Sequence, residues 1–261
     1  MEIYLATLEN NLYVYENMPD NYIKYGLVSY YYMKDNDETF NLVLDKCQFV
    51  LIDSGAHSFQ HGAKVDFDDF TKKYINFVKK WTHHPKIVGF FEMDIDNVSS
   101  YEQVLEYQKQ LQSVSDKIIP VWHNNRGIDD FHNMCKLHKN KRVAITGFKN
   151  NDIIDSQYNL FINTSQHYGA DLHILGMTRF DLMNSLNLSN NDSADSSSWK
   201  QTGIFGGINL ISASGTSYKL SCLEGLDLSY KEFIKVNLST AMYMARFKKD
   251  GQDERGFIAK R

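Results

Sequence analysis

The sequence predicts a single (β/α)₈ barrel, and three observations carry that expectation. A chain of 261 residues matches the roughly 250 residues such barrels occupy. Short apolar runs alternate with longer amphipathic ones, which is the pattern of a parallel sheet with right-handed helical crossovers. No G-x-G-x-x-G follows the first run, so the competing open, doubly wound sheet lacks its usual phosphate-binding turn. One domain over residues 1–261 is expected, with a small extra hairpin and a C-terminal helix.

Eight runs read as strands: Ile3–Thr7, Leu27–Tyr31, Phe49–Asp53, Ile87–Asp94, Ile118–His123, Val143–Gly147, Leu172–Met177 and Ser193–Ser197. All but the last are rich in β-branched or aromatic residues, which suit a pleated surface. The serine-rich eighth run is included on its position alone. Between the runs, Phe67, Phe70, Tyr74, Phe77, Val78 and Trp81 recur at three- and four-residue steps, so they share one helix face. Acidic residues open that helix, where negative charge favours the macrodipole. Ser99 with Glu102, and Ser229 with Glu232, read as capping boxes ahead of two further helices. Gly203–Ser212 is Gly-rich and apolar and reads as a hairpin or cover outside the barrel.

The hydrophobic fraction of 43% and aromatic fraction of 13% fit a well-filled interior. The formal charge of −4 gives the whole chain no basic footprint for nucleic acid. Six basic and three acidic residues fall within Arg246–Arg261, so this tail is net +3 and the rest of the chain net −7. Cys47, Cys135 and Cys222 stand apart, with no pair at metal-ligand spacing, which argues against a cysteine zinc site or a disulfide framework. The start MEIYLATLENN has no basic segment before an apolar run, and no stretch approaches the length of a membrane span. A soluble, cytoplasmic protein without a membrane partner is therefore expected, and no cofactor or metal is called for.

In a barrel of this kind catalytic groups sit at the C-terminal ends of strands. The third run ends at Asp53, followed by Ser54 and Gly55; the fourth ends at Asp94, flanked by Glu92 and Asp96. His123 ends the fifth, Gly147 the sixth, Gly176 and Met177 the seventh, and Asp195 lies in the eighth. Each has an ordinary reading. Asp-Ser-Gly forms turns, Asp94 could cap a helix, His123 could be a core histidine, and Asp195 could be one more polar loop residue. Their coincidence at different strand ends favours chemistry. One carboxylate can attack a sugar carbon and displace a base, and a second can carry protons for the leaving and incoming bases.

Six segments in order resemble the tRNA-guanine transglycosylase superfamily: LIDSGAHSF (Leu51–Phe59), GFFEMDID, PVWH, AITGF, HILGMTRFDLM and SADSSSW. The resemblance implies Asp195 as nucleophile and Asp53 as general acid/base. It implies Asp94 and His123 on the base edge, the Gly147 amide on a base carbonyl, and Met177 over the base face, with Ser54 and Gly55 in the substrate-binding segment. The likeness is nearer to the short, zinc-less phage and archaeal-type branch, whose phage members place 7-deazaguanine derivatives into DNA.

The sequence departs from the family at several points. His57 stands where that branch has Phe, and Ala56 replaces the second Gly of the longer enzymes. The C-x-C-x-x-C zinc segment, which supports tRNA docking in the family, is missing. The expected activity is exchange of guanine in a nucleic acid for a 7-deazaguanine base, with DNA favoured over tRNA as acceptor. A nucleoside or sugar hydrolase and a non-catalytic nucleic-acid-binding barrel are the alternatives. A homodimer or a helper protein remains open as partner.

Overall fold

Nine short strands of the computed structural model form one parallel sheet that wraps round on itself. The structure describes residues 1–56, 66–96, 98–146, 153–177, 179–211, 217–220 and 229–250. We number the barrel strands β1 (Glu2–Ala6), β2 (Ile23–Ser29), β3 (Cys47–Asp53), β4 (Ile87–Phe91), β5 (Ile118–Ile119 with Val121–Trp122), β6 (Arg142–Ile145), β7 (Asp171–Ile174) and β8 (Ser193–Ser196). The two pieces of β5 flank Pro120, which has no N–H to give a ladder. The first piece pairs with β4 and the second with β6. One strand thus serves both edges, and the eight-stranded barrel closes through it.

Strand alternation sorts the core into an inside and an outside. Tyr4, Ala6, Tyr25, Leu27, Leu51, Phe91, Ile119, Val121 and Ala144 form the inner cluster. Their neighbours Leu5, Val28, Val50, Ile52 and Phe90 face an outer layer, as do Ile3, Trp122, Val143 and Ile145 on the opposite side. The interior tolerates no spare volume: a Cβ on Gly89 would lie 2.4 Å from Ile119 Cδ1. The same alternation aims the mouth residues. Asp53 follows Leu51 by two, His123 follows Val121 by two, and Ser29 follows Leu27 by two, so each continues the inward face.

The helices are α1 (Leu12–Tyr15), α2 (Tyr30–Met33), α3 (Asp37–Lys46), α4 (Phe67–Trp81), α5 (Tyr101–Gln112), α6 (Ile128–Leu137), α7 (Tyr158–Tyr168), α8 (Phe180–Ser185), α9 (Ser198–Ile204) and α10 (Tyr230–Asp250). On α4, Phe70, Tyr74, Phe77 and Val78 are buried while Lys72, Lys73, Lys79 and Lys80 are exposed. Each of these large apolar side chains contributes about 1.5–3 kcal/mol by leaving water. The Asp66 carboxylate caps the helix through the Asp69 amide. On α5 the cap is Ser100, accepting from the Gln103 amide, rather than Ser99. Ser229 and Glu232 form the expected reciprocal box ahead of α10.

The expected strand Leu27–Tyr31 is shifted: β2 starts at Ile23 and stops at Ser29, and Tyr30 opens α2 instead. Tyr30 there packs against Phe70, Tyr74 and Phe77 of α4, a tertiary gain that overrides its strand preference. Outside the barrel, β9 (Ile208–Ile211) and β10 (Ser217–Leu220) pair antiparallel. The buried Asn237 of α10 accepts from the Asn209 amide and donates to the Gly207 carbonyl, fixing this hairpin to the helix. Among the described residues, no helix is long and apolar enough to cross a membrane.

Candidate active site at the C-terminal mouth

Asp53 ends β3 and its carboxyl accepts from the Ser54 and Gly55 amides. The turn that supplies them needs Gly55, whose φ is +87° and whose added Cβ would meet Tyr31 Cβ at 2.3 Å. Burial pushes Asp53 up to about 7, and the charges of Asp94 and Asp195 push in the same direction. Three carboxyls from β3, the β4 end and β8 therefore share one electrostatic environment. Ser54 is fully buried and its hydroxyl accepts from the Ala56 amide at 3.4 Å, so the described contact of its side chain belongs to the turn.

Asp195 continues the inward face of β8. Its Oδ1 accepts from the Gly176 amide at 3.0 Å and from His173 Nε2 at 3.2 Å. The Gly176 amide is available because that residue turns with φ +67° just beyond β7. His173 is completely buried inside the barrel, and its Nδ1 bonds Ser193 Oγ at 2.8 Å. A carboxylate can only accept, so the ring proton sits on Nε2 and the Ser193 hydroxyl donates to Nδ1. Burial holds the imidazole below its ordinary pKa, against the pull of Asp195. A neutral histidine and a backbone amide thus fix the orientation of Asp195.

On the other side of the mouth, Asp94 is bonded directly to His123 Nε2. His123 also lies 3.7 Å from Asp96. Burial works against the imidazolium, but Asp94 and then Asp96 outweigh it and lift His123 to about 9. Behind this pair, Arg126 grips both oxygens of Asp96 at 2.7 Å and reaches Glu92 at 3.1 Å. Glu92 also accepts from the Val121 amide and from Gln108; its burial nevertheless pushes it up to about 7, against the pull of Arg126. The arrangement is a buried lattice of acids with two cations, and it braces the Asp94–His123 pair against β5.

Asp94, Asp96 and His123 offer three ligand atoms within 4.8 Å of one another, which is the geometry of a cation site. Their chemistry fits one poorly. Both Asp96 oxygens are already committed to the Arg126 guanidinium, and a divalent ion would sit against that charge and the raised His123.

The resemblance placed Met177 over a base, but here its side chain is buried in the apolar layer with Trp122, Ile145 and Ile174. It packs behind the sheet, because the turn after β7 directs it outward. Gly147, expected to offer an amide, lies outside the described residues. Sequence reasoning missed His173, Gly176 as a donor to Asp195, and Arg126. The signal for His173 was present: a histidine between apolar residues of the strand, in LHIL, close to the mouth. At the opposite end of the barrel, Arg142 pairs with Glu2 at 2.9 Å and donates to the Tyr4 hydroxyl at 3.3 Å, a network suited to stability.

No family model matches the chain, and no curated protein matches it. Among solved structures the chain is similar to a protein assigned as a fructose-1,6-biphosphate aldolase from Coccidioides immitis. That likeness has a TM-score of 0.50 at 8% identity and covers 98% of this chain and 92% of the other. A GH10 endoxylanase retrieved from a sugarcane soil metagenome matches with a TM-score of 0.41 at 9% identity over 68% of each chain. The first likeness shows the shared barrel and says nothing of the reaction; the second carries no argument.

Proposed function

We propose that this protein is a base-exchanging glycosyltransferase that replaces guanine in DNA by a 7-deazaguanine derivative. The observation that supports this best is the trio of carboxyls at one mouth, with Asp53 held near neutrality between Asp94 and Asp195. In the proposed cycle Asp195 attacks the anomeric carbon, the bond from that carbon to the guanine nitrogen breaks, and Asp53 gives its proton to the departing base. The sugar is then held as an aspartyl ester. The incoming base returns a proton to Asp53 as its nitrogen attacks the same carbon and the ester bond breaks. Proton and electron pairs balance over the cycle, so no cofactor is required.

The geometry suits these roles. An acid that must protonate a leaving group at neutral pH works best with a pKa near 7, and Asp53 meets that condition. A nucleophile must be oriented, and the neutral His173 with the Gly176 amide does this for Asp195. Asp94, only partly exposed and paired to His123, offers carboxylate oxygen to the donors of a guanine edge. A duplex nucleotide would have to leave the base stack to reach these groups. The choice of DNA rests on the motif likeness and the missing zinc segment.

The test is incorporation of radiolabelled guanine into matched DNA and tRNA substrates by the purified full-length protein. Label entering DNA supports the proposal. Label entering only tRNA moves the acceptor but keeps the chemistry. Release of free guanine without incorporation would make the protein a hydrolase.

A further inference from the structure

Among the described residues, three buried oxygen atoms on the β1 and β2 side of the mouth have no hydrogen-bond partner: Thr7 Oγ1, Glu9 Oε2 and Ser29 Oγ. Folded proteins rarely leave such atoms unsatisfied without a reason. All three stand at the C-terminal ends of β1 and β2, which is the mouth of the barrel. Glu9 is only 7% exposed. Its carboxyl accepts from the Ser29 amide and from Asn10 Nδ2 at 3.2 Å, and its other oxygen is left over. Ser29 is the ladder partner of Asp53. Thr7, at the start of the same turn as Glu9, holds a left-handed φ of 68°, an uncommon and costly conformation for a β-branched residue.

Strand order gives these atoms a position relative to the carboxyls. Round the barrel the sequence of strands is β3, β2, β1, β8, carrying Asp53, then Ser29, then Thr7 and Glu9, then Asp195. The unpartnered oxygens therefore span the arc between the proposed acid/base and the proposed nucleophile. Asp94 and His123 belong to the β4 and β5 side. The charges facing Glu9 are Asp53, which raises it, and Lys200 of α9, which lowers it, while burial takes it up to about 7. Near neutrality it can accept a hydrogen bond, and in its protonated form it can donate one.

We propose that Glu9 and Ser29, with Thr7, form a subsite for the oxygen atoms of a pentose, separate from the groups that face the base. This rests on the base-exchange reading, because that reaction puts a sugar between Asp195 and Asp53. The oxygens offered to the subsite are the 2′-hydroxyl of a ribose or the ring and ester oxygens of a deoxyribose. Ser29 and Thr7 can donate to either. An ionised Glu9 oxygen can be satisfied only by a hydroxyl.

The test measures binding of guanine, guanosine and 2′-deoxyguanosine to the full-length wild type and to Glu9→Leu, Glu9→Gln and Ser29→Ala. Glu9→Leu should weaken nucleoside binding ~10-fold or more, since a buried polar contact is lost, while guanine binding stays within about twofold. Glu9→Leu also takes the acceptor away from the Ser29 amide and Asn10, so its melting temperature should fall by a few degrees, while Glu9→Gln, which keeps an acceptor there, serves as the folded control. Loss for guanosine alone names the 2′-hydroxyl; loss for both nucleosides names the ring or ester oxygens. The subsite is overturned if guanine and nucleosides weaken together, or if neither changes in Glu9→Leu and Ser29→Ala. Should the wild type bind no guanine compound, the base-exchange reading fails by itself. Methyl riboside and methyl 2-deoxyriboside, followed by ligand-observed NMR, then decide: Glu9-dependent binding keeps the subsite, and its absence overturns it.

Discussion

Replacing Asp53 by Asn should abolish base exchange and at the same time stabilise the protein at alkaline pH. Asp53 is raised from 3.8 to about 7, first by burial and then by Asp94 and Asp195. An acid whose pKa is higher in the folded state makes folding less favourable as pH rises. Below pH 4 both states are protonated and nothing is lost. Between 4 and 7 the unfolded chain ionises first, and above 7 the penalty is constant. At about 1.4 kcal/mol per pH unit, the penalty reaches up to about 4 kcal/mol. Asn removes the charge but accepts only part of what the carboxyl takes from the Ser54 and Gly55 amides, so a net gain of about 1–3 kcal/mol is expected. Urea unfolding at pH 8 and at pH 4 measures it: the gain should appear at pH 8 and shrink towards zero at pH 4. An Asn variant less stable than wild type at pH 8, or a gain independent of pH, would refute the account of Asp53 as an acid raised by desolvation and by the neighbouring carboxyls.

His173→Phe keeps the ring volume but removes both hydrogen bonds, to Asp195 and Ser193. It should cost about 2–4 kcal/mol of stability and slow exchange ~10²-fold through a loosened nucleophile; exchange within twofold of wild type would show that His173 does not orient Asp195. His123, raised from 6.5 to about 9, contributes stability that is fully present below 6.5 and lost as pH rises through 9. His123→Gln should therefore flatten the stability profile over that window, and an unchanged slope there would mean the Asp94 pair is not ionic. Exhaustive chelation should leave exchange intact, because Arg126 already occupies Asp96; activity lost with chelator and restored by one divalent ion would reverse that reading.

The barrel was legible because its strands are mostly continuous apolar runs and its helices carry one-sided apolar stripes. Even the weak eighth run is a strand, since Ser193 and Asp195 on its inward face are satisfied by His173 instead of needing a dry core. Boundaries were less legible where tertiary packing competes with local preference, as at Tyr30, and where two serines could each cap a helix, as at Ser99 and Ser100. The carboxyls Asp53, Asp94 and Asp195 were visible as polar residues ending or continuing inward faces. Arg126 and Glu9 were not, and His173 showed only as a histidine inside a strand with no hint of its role, because each acts through partners distant in sequence: Asp195 lies 22 residues from His173 and Asp96 lies 30 from Arg126. Met177 shows the converse failure. Its position after a strand suggested the mouth, but an apolar side chain there gains more from the layer behind the sheet.

The central claim is that Asp195 forms a covalent bond to the substrate sugar, and this can be observed directly. Incubating wild-type protein with labelled guanine-containing DNA, without an incoming base, and denaturing it rapidly should trap labelled DNA on the chain. Peptide mapping should place the label at Asp195, and Asp195→Asn, with unchanged circular dichroism, should trap none. Labelled adduct on Asp195→Asn, or full exchange activity in that variant, would contradict the account.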